Sequence, residues 1–316
     1  MSHSSKHILL LGAGFTRNWG APLASEVSGS LLGELHDDAE LARRLRSGPF
    51  EDTFAEFQRP RGNGADAKRL GRLQDAITAL FARMNAALAT TKFEFDNDLT
   101  YSMQKFLERF DAIFTLNQDL LLEIHYLPNL VSTRWSGVAV PGMQGSYALG
   151  WSGPDDPTKL VWQPTGEMAA RGNMQPYFKL HGSSNWQDGQ GEPVLIMGSA
   201  KSGAIDRFPI LKAYHDVFRQ TLSRSGAKLM VIGYSFQDDH INHVISDGSN
   251  KAGLGTFLVD PAGRDVLKDP KMAGAQIRGL PRAVEEIKII GELKRPLSAI
   301  FRGDVFAHGE LMRFFT

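Results

Sequence analysis

HILLLGAGFTRNWGAPLASEV, residues 7–27, decides how this chain is read. The run His7–Leu11 is short, apolar and stopped by glycine, which predicts a fully buried strand. Gly12-Ala13-Gly14 follows, and a helical pattern leaves it. A helix start offers free backbone N–H groups and about half a positive charge, a setting suited to a pyrophosphate. The strict dinucleotide fingerprint asks for a third glycine at position 17, where Arg17 stands. Taken alone, the stretch is open to two readings: a dinucleotide turn, or a tight turn with no ligand.

Working outward, residues 23–46 carry helical spacing through Leu31, Leu32, Leu35, Leu41 and Leu45, and Gly48-Pro49 stops them. FEDTFAEF (50–57) predicts a short helix and RPRGNGAD (59–66) an exposed loop. Leu70, Leu73, Ile77, Leu80, Phe81, Met84 and Leu88 keep one face of a longer helix apolar. Mostly helical chain therefore separates the first strand from the next, DAIFTLNQD (111–119). Residues 127–175 are rich in glycine, proline and tryptophan and weak in periodicity, which predicts an irregular insertion with room for short strands. Its Trp135, Trp151 and Trp162 suit a core or an interface, where tryptophan is enriched; core is the reading adopted. PYFKLHGSSNW (176–186) reads as strand then turn, and PVLIMG (193–198) as a strand. Residues 208–224 read as a helix, AKLMVIGYSF (227–236) as a buried strand ending in a turn, and DDHINHVISDG (238–248) as a capped helix. GTFLVDP (255–261) and EEIKIIG (285–291) add strands, and the final HGELMRFF is helical. No repeat or low-complexity tract interrupts the pattern.

Strands alternating with helices predict a Rossmann-like α/β fold, a parallel sheet covered by helices on both faces. The division expected is one domain over 1–316, with a helical insertion at about 24–110 and an irregular insertion at about 127–175. Ligands of such sheets sit at the carboxyl ends of strands. The informative segments follow positions 11, 115, 180 and 232.

Composition narrows the function. Among 316 residues, lysine plus arginine and aspartate plus glutamate number 35 each, so the chain lacks the basic excess of a dedicated nucleic-acid binder. There is no cysteine, which removes disulfides, a cysteine zinc site and a thiol nucleophile together. The apolar run before Gly12 is too short for a signal-peptide core, and no stretch reaches membrane-spanning length. A soluble, cytoplasmic protein with no membrane contact is expected.

Four segments carry chemistry. In FTLNQD, Thr115, Asn117 and Asp119 follow a buried strand at spacing two and would share a face. Asn117 can hold a ribose hydroxyl or a water; the plain alternative is a polar turn that caps the next helix. In FKLHGSSNW, His181 ends a strand and can exchange a proton near neutrality, though a lone histidine also serves structure. In VIGYSFQDDHIN, Gly233 and Ser235 form a second strand-to-helix turn that offers N–H groups and a hydroxyl. Asp260, ending TFLVD, can accept hydrogen bonds from a ribose or simply start a turn. His240 and His243 lack a third ligand at a clear spacing, so they read as surface residues and no metal is expected.

The order Gly-Ala-Gly-x-Thr, Gly20-Ala21-Pro22, Thr-x-Asn-x-Asp, Lys-Leu-His-Gly and Gly-Tyr-Ser-Phe-x-Asp-x-x-Ile-Asn resembles the sirtuin superfamily. It is more closely similar to the bacterial sirtuin-like NAD-hydrolysing effectors of phage defence. The resemblance spans residue 8 to about 260. It implies that Gly12, Ala13, Gly14 and Thr16 cradle the NAD diphosphate, that Asn117 and Asp119 face the nicotinamide ribose, and that His181 is the base. It further implies that Gly233 and Ser235 contact the adenosine half. NAD is then a substrate. Protein deacylases of the superfamily carry a four-cysteine zinc ribbon, which this chain cannot build. They also follow the proline with Asp-Phe-Arg, where Leu23, Ala24 and Ser25 stand here.

The function expected on that resemblance is NAD glycohydrolysis, in an NAD-depleting effector of anti-phage abortive infection. The resemblance also implies a controlled resting state, through a homo-oligomer or a partner such as a HerA-type ATPase or a short Argonaute. The alternatives are a non-catalytic module that binds NAD or ADP-ribose, an NAD-dependent protein deacylase and a dehydrogenase. The last lacks both the third glycine and a second recognisable catalytic domain.

Overall fold

The computed structural model describes residues 6–48, 50–58, 64–147, 156–168, 172–197, 203, 205–268 and 284–316. Trp151 lies outside them. A seven-stranded sheet forms the centre. Its strands are β1 (Lys6–Leu11), β2 (Ala112–Thr115), β3 (Val138–Ala139), β6 (Gln175–Lys179), β9 (Ala227–Ile232), β10 (Gly255–Val259) and β11 (Ile289–Leu293). They run in the order β11-β10-β9-β1-β2-β6-β3, and every pairing is parallel. Without β3, this is the doubly wound dinucleotide-fold order, whose switch point lies between β1 and β9. Ile8, Leu9, Leu10 and Leu11 are fully buried, as a strand covered on both faces requires.

Register aligns the carboxyl ends. Leu293, Val259, Ile232, Leu11, Thr115 and Lys179 form one row across the sheet. The segments beginning at Gly12, Leu116, Leu180, Gly233 and Asp260 therefore leave from the same edge. Each first residue continues the ladder: Gly12 N–H donates to Ile232 O (3.0 Å), Leu116 N–H to Leu11 O (2.9 Å) and Leu180 N–H to Thr115 O (2.9 Å).

The insertion after β1 is helical. It holds α1 (Ala13–Thr16), α2 (Ala24–Glu34), α3 (Ala39–Ser47), α4 (Phe50–Gln58), α5 (Gly64–Ala89) and α6 (Met103–Leu107). The helical spacing over 23–46 is split into two helices: α2 closes at Leu35 and α3 begins at Asp38. The Asp38 carboxylate accepts from Glu40 N–H and Leu41 N–H, both at 3.1 Å, and so starts α3. Helices α2–α5 close a core of their own around Leu31, Leu41, Phe54, Phe57, Leu73 and Ile77.

Residues 127–175 contain short strands, as that reading of the insertion allowed. β4 (Met143–Tyr147) and β5 (Leu160–Pro164) join β7 (Gly182–Gln187) and β8 (Pro193–Leu195) in a second sheet, ordered β4-β5-β7-β8. The segment read as a turn after Lys179 is thus a two-residue turn, Leu180-His181, followed by strand β7. Ser183 is buried and Ser184 half-buried there, so polarity masks the strand. Trp135 and Trp162 are half-buried, and Trp162 packs on the main core. After β2 comes the short helix α7 (Leu121–His125); α8 (Pro209–Leu222) and α9 (Asp239–Ala252) flank β9. Among the described residues, no helix is long and apolar enough to cross a membrane.

Candidate functional site

At the switch point the two glycine turns lock together. Gly14 N–H donates to Gly233 O (2.9 Å). A Cβ on Gly233 would lie 2.4 Å from Gly14 C and from Phe15 N, and Gly233 has φ +63°, which favours glycine. A Cβ on Gly12 would lie 2.5 Å from Gly233 O. The close approach that these glycines permit is backbone against backbone. The amides of Gly12 and Gly14 both donate into the β9 end of the crevice, while Ala13 is exposed beside them.

Asn117 bridges this turn to the β2 loop. Its Nδ2 donates to Gly12 O (3.0 Å) and to Thr16 Oγ1 (2.9 Å), and its own N–H donates to Thr115 Oγ1 (3.0 Å). A carbonyl can only accept, so the atom facing Gly12 O must be the nitrogen. Both amide hydrogens are engaged, which leaves Oδ1 as the group Asn117 can turn to a ligand. Thr16, Thr115, Asn117 and Asp119 line a small cavity with Phe15 and Tyr177. Spacing two thus brings these residues around one space, although the strand ends at Thr115. Asp119 also closes the turn into the next helix: its Oδ1 accepts Leu121 N–H (3.0 Å).

Beneath the cavity sits an ion pair that local sequence patterns did not single out. Lys179 Nζ donates to Glu123 Oε1 (2.6 Å) and to Asp119 O (2.5 Å). The lysine side chain is 0% exposed and the glutamate 5%. Tyr177 hydroxyl donates to the same Oε1 (3.3 Å), while Glu123 Oε2 is buried with no hydrogen-bond partner. Burial pushes the Glu123 carboxyl above its ordinary range, more than Lys179 lowers it. The sequence signal for this pair is a lysine inside an otherwise apolar strand, Tyr177-Phe178-Lys179-Leu180.

His181 is 3% exposed in the β6–β7 turn. Gly182 after it has φ +74°, and a Cβ there would lie 2.0 Å from Val194 O, so His-Gly is fixed by packing. His181 Nε2 is 3.2 Å from His240 Nε2. His215 completes a triangle of rings, with centroids 5.3 Å from His240 and 6.4 Å from His181. His215 Nε2 donates to Leu180 O (2.9 Å), and burial lowers its pKa. His243 is exposed, as expected. His240 departs from expectation: it is half-buried and faces the predicted base. Its partner lies 59 positions away, beyond what helical spacing reports. Among the described residues, no group of three or more His, Cys, Asp or Glu is placed to hold a metal.

The Gly-Tyr-Ser-Phe turn is held by its own side chains. Tyr234 hydroxyl donates to Asn242 Oδ1 (3.0 Å) and accepts Asp238 N–H (3.1 Å), and Asn242 Nδ2 donates to Phe236 O (2.8 Å). This leaves Ser235 exposed. Asp260 follows β10, half-buried; its Oδ1 accepts Ala262 N–H (2.8 Å) in a turn, and burial raises its pKa.

The model of the SIR2-like domain matches residues 111–277, more than half of the chain. The chain belongs to the SIR2-like domain family. The match contains Asn117, Asp119, His181, Gly233, Ser235 and Asp260. No curated protein matches the chain in sequence. Among solved structures, it is similar to Sir2Tm bound to a propionylated peptide, at TM-score 0.41 and 10% identity over 97% of this chain and 94% of that one. It is also similar to SIR2 in complex with the inhibitor EX-527, 2'-O-acetyl-ADP-ribose and deacetylated p53 peptide, at TM-score 0.36 and 12% identity over 96% and 94%.

Proposed function

We propose that this SIR2-like protein is an NAD glycohydrolase, which cleaves NAD to nicotinamide and ADP-ribose. The observation that carries the reading is the setting of Asn117. Its amide hydrogens are spent on Gly12 O and Thr16 Oγ1, so the carbonyl oxygen is the atom it has left for a ligand, and the residue lines a cavity shared with Asp119. Breaking the bond between ribose C1′ and the pyridinium nitrogen develops positive charge on the sugar, and the electron pair leaves on nicotinamide. A fixed carbonyl dipole stabilises that charge without reorganisation. The same oxygen can accept a hydrogen from the water that adds to C1′, and His181 takes the proton that water loses. Such a transfer is worth about 10²–10⁴-fold.

In this reading Gly12, Ala13, Gly14 and Thr16 meet the diphosphate, and Gly233, Ser235 and Asp260 the adenosine half. Hydrolysis is favoured over protein deacylation because a chain without cysteine cannot form the zinc ribbon of the deacylases. The space these residues leave is little more than water-sized, far below the roughly 300–1,000 Å³ of ordinary ligand sites. That suits an effector held closed until triggered. We assign the trigger to self-assembly or to a partner such as a HerA-type ATPase or a short Argonaute, in the setting of anti-phage abortive infection.

The test is incubation of purified protein with NAD and chromatography of the products, alone and with candidate partners. Nicotinamide and ADP-ribose in equal amounts are expected, and both vanish in Asn117→Ala and in His181→Ala. Tight NAD binding without turnover under every condition gives the chain to the non-catalytic reading instead. Turnover only with an acyl peptide gives it to deacylation.

A further inference from the structure

His181 and His240 face each other through like atoms, Nε2 to Nε2 at 3.2 Å. Two imidazole nitrogens bond only when one carries hydrogen and the other a lone pair. The contact therefore holds one hydrogen between two rings. His181 is nearly fully buried, so a cation formed on it lacks water to solvate it. A neutral imidazole that accepts its N–H is the substitute that the geometry supplies.

We propose that His240 is the positioning partner of His181: its Nε2 accepts His181 Nε2–H, fixes the ring and stabilises the imidazolium formed when His181 takes a proton. The inference rests on the proposed role of His181 as base. In the step, water loses a proton as its oxygen bonds C1′. With hydrogen already on Nε2, His181 holds the incoming proton on Nδ1. The resulting cation keeps its Nε2–H pointed at His240, and the proton leaves again after product release. This is the logic by which a nucleophile's base is oriented by a third group, with a neutral ring in place of a carboxylate.

Of the charged groups around the pair, Asp238 and Asp239 head α9, the helix that carries His240. His215, on α8, is kept uncharged by burial and donates to Leu180 O, so it adds no charge to the cluster. Asp216 and Arg219 on the same helix pair with each other at 2.9 Å, and Lys179 below the turn is paired with Glu123. A second proton would set two cations 3.2 Å apart.

The experiment compares His240→Ala, His240→Gln and His243→Ala in the full chain, with whatever partner NAD cleavage requires. For His240→Ala, kcat falls about tenfold to a hundredfold, the scale of one hydrogen bond to a charged group. KM changes less than about threefold, and the acidic limb of the kcat/KM profile moves, because His181 has lost the acceptor of its proton. A glutamine carbonyl can accept the same hydrogen, so His240→Gln restores most of the rate. His243→Ala, on the exposed face of the helix, matches the parent. In parallel, ¹⁵N-histidine spectra of the protein are titrated without NAD. Coupled titration of His181 and His240, with a changed His181 titration in His240→Ala, supports the pair. Independent titration of the two rings, or an unaltered rate and profile in His240→Ala, overturns it. A parent protein that never cleaves NAD overturns the glycohydrolase reading alone, since the spectra judge the pair separately.

Discussion

Replacing Lys179 by methionine keeps the length of the side chain and removes its charge from a site with no exposure. Glu123 is then left buried without its cation, and Asp119 O loses its donor. Breaking a buried ion pair by removing one partner costs about 3–5 kcal/mol, because the survivor is an uncompensated charge. A chain of 316 residues has an unfolding entropy of roughly 0.7 kcal/mol per kelvin, so the melting point falls by about 5–7 °C. Glu123→Gln added to Lys179→Met restores part of the loss, since no bare carboxylate remains. pH separates this cause from simple loss of packing. The folded carboxyl of Glu123 already sits above its ordinary value through burial, so its contribution is full below the unfolded pKa and lost as pH rises through the folded one. Without Lys179 the carboxyl moves further up, and the variant's deficit shrinks on acidification from pH 8 toward pH 5. Urea titrations of the parent, both single variants and the double variant at these two pH values provide the numbers. A Lys179→Met deficit under about 1 kcal/mol, or one that is flat with pH, refutes the reasoning.

Asn117→Ala costs about 1–2 kcal/mol of stability beyond its loss of NAD cleavage, because Gly12 O and Thr16 Oγ1 lose their shared donor; denaturant unfolding beside product analysis shows whether both losses occur. Gly233→Ala meets backbone at 2.4 Å and loses more than about 3 kcal/mol, whereas Gly253→Ala, at φ +70° with nothing within 4 Å, pays only the left-handed backbone cost of about 1–2 kcal/mol. Equal melting points for the two glycine variants would contradict the interlocked turns. Burial lowers the pKa of His215, and also of His7 and His308. The unfolded chain then binds more protons below the ordinary histidine value, so stability falls as pH drops from about 7 to 5.5, by at most about 1.4 kcal/mol per pH unit for each group. Replacing His215 by glutamine flattens the slope of the urea midpoint against pH.

What the sequence made legible was whatever a single segment encodes. β1, β2, β9 and β10 are runs of buried apolar residues between turn signals, and they sit where that pattern puts them. Thr115, Asn117 and Asp119 line one cavity as their spacing indicates. Strand β7 was not legible, because Gly-Ser-Ser-Asn reads as turn chemistry. Its polar groups are met by distant partners: Ser184 N–H donates to Gln118 O (3.0 Å), and Asn85 of α5 reaches Ser184 Oγ (3.0 Å). The break between α2 and α3 was hidden for the opposite reason, since leucine spacing runs on while α2 closes at Leu35 and Asp38 starts a new helix. Most consequential is His240. Its neighbour His243 supplied a local explanation, whereas His181 reaches it only after β6 and β9 are brought into one sheet, with β1 and β2 between them.

The glycines that opened the question answer it in an indirect way. A glycine in a strand-to-helix turn signals that something approaches the backbone closely. At Gly12 and Gly14 that something is Gly233, on the far side of the switch point. The turn would need glycine here whether or not a phosphate ever reached it, so the absent third glycine at position 17 says little about NAD. The residues that speak to chemistry are those the interlock positions. By fixing the β1 turn against the β9 turn, it sets Gly12 O where Asn117 Nδ2 can reach it, and so leaves Asn117 Oδ1 as the atom open to a ligand. The same β9 turn leads into α9 and brings His240 to His181. One packing contact between glycines thereby aims both groups on which the proposed hydrolysis depends. Loosening that contact will impair the asparagine and the histidine together, while a change at either side chain leaves the other in place.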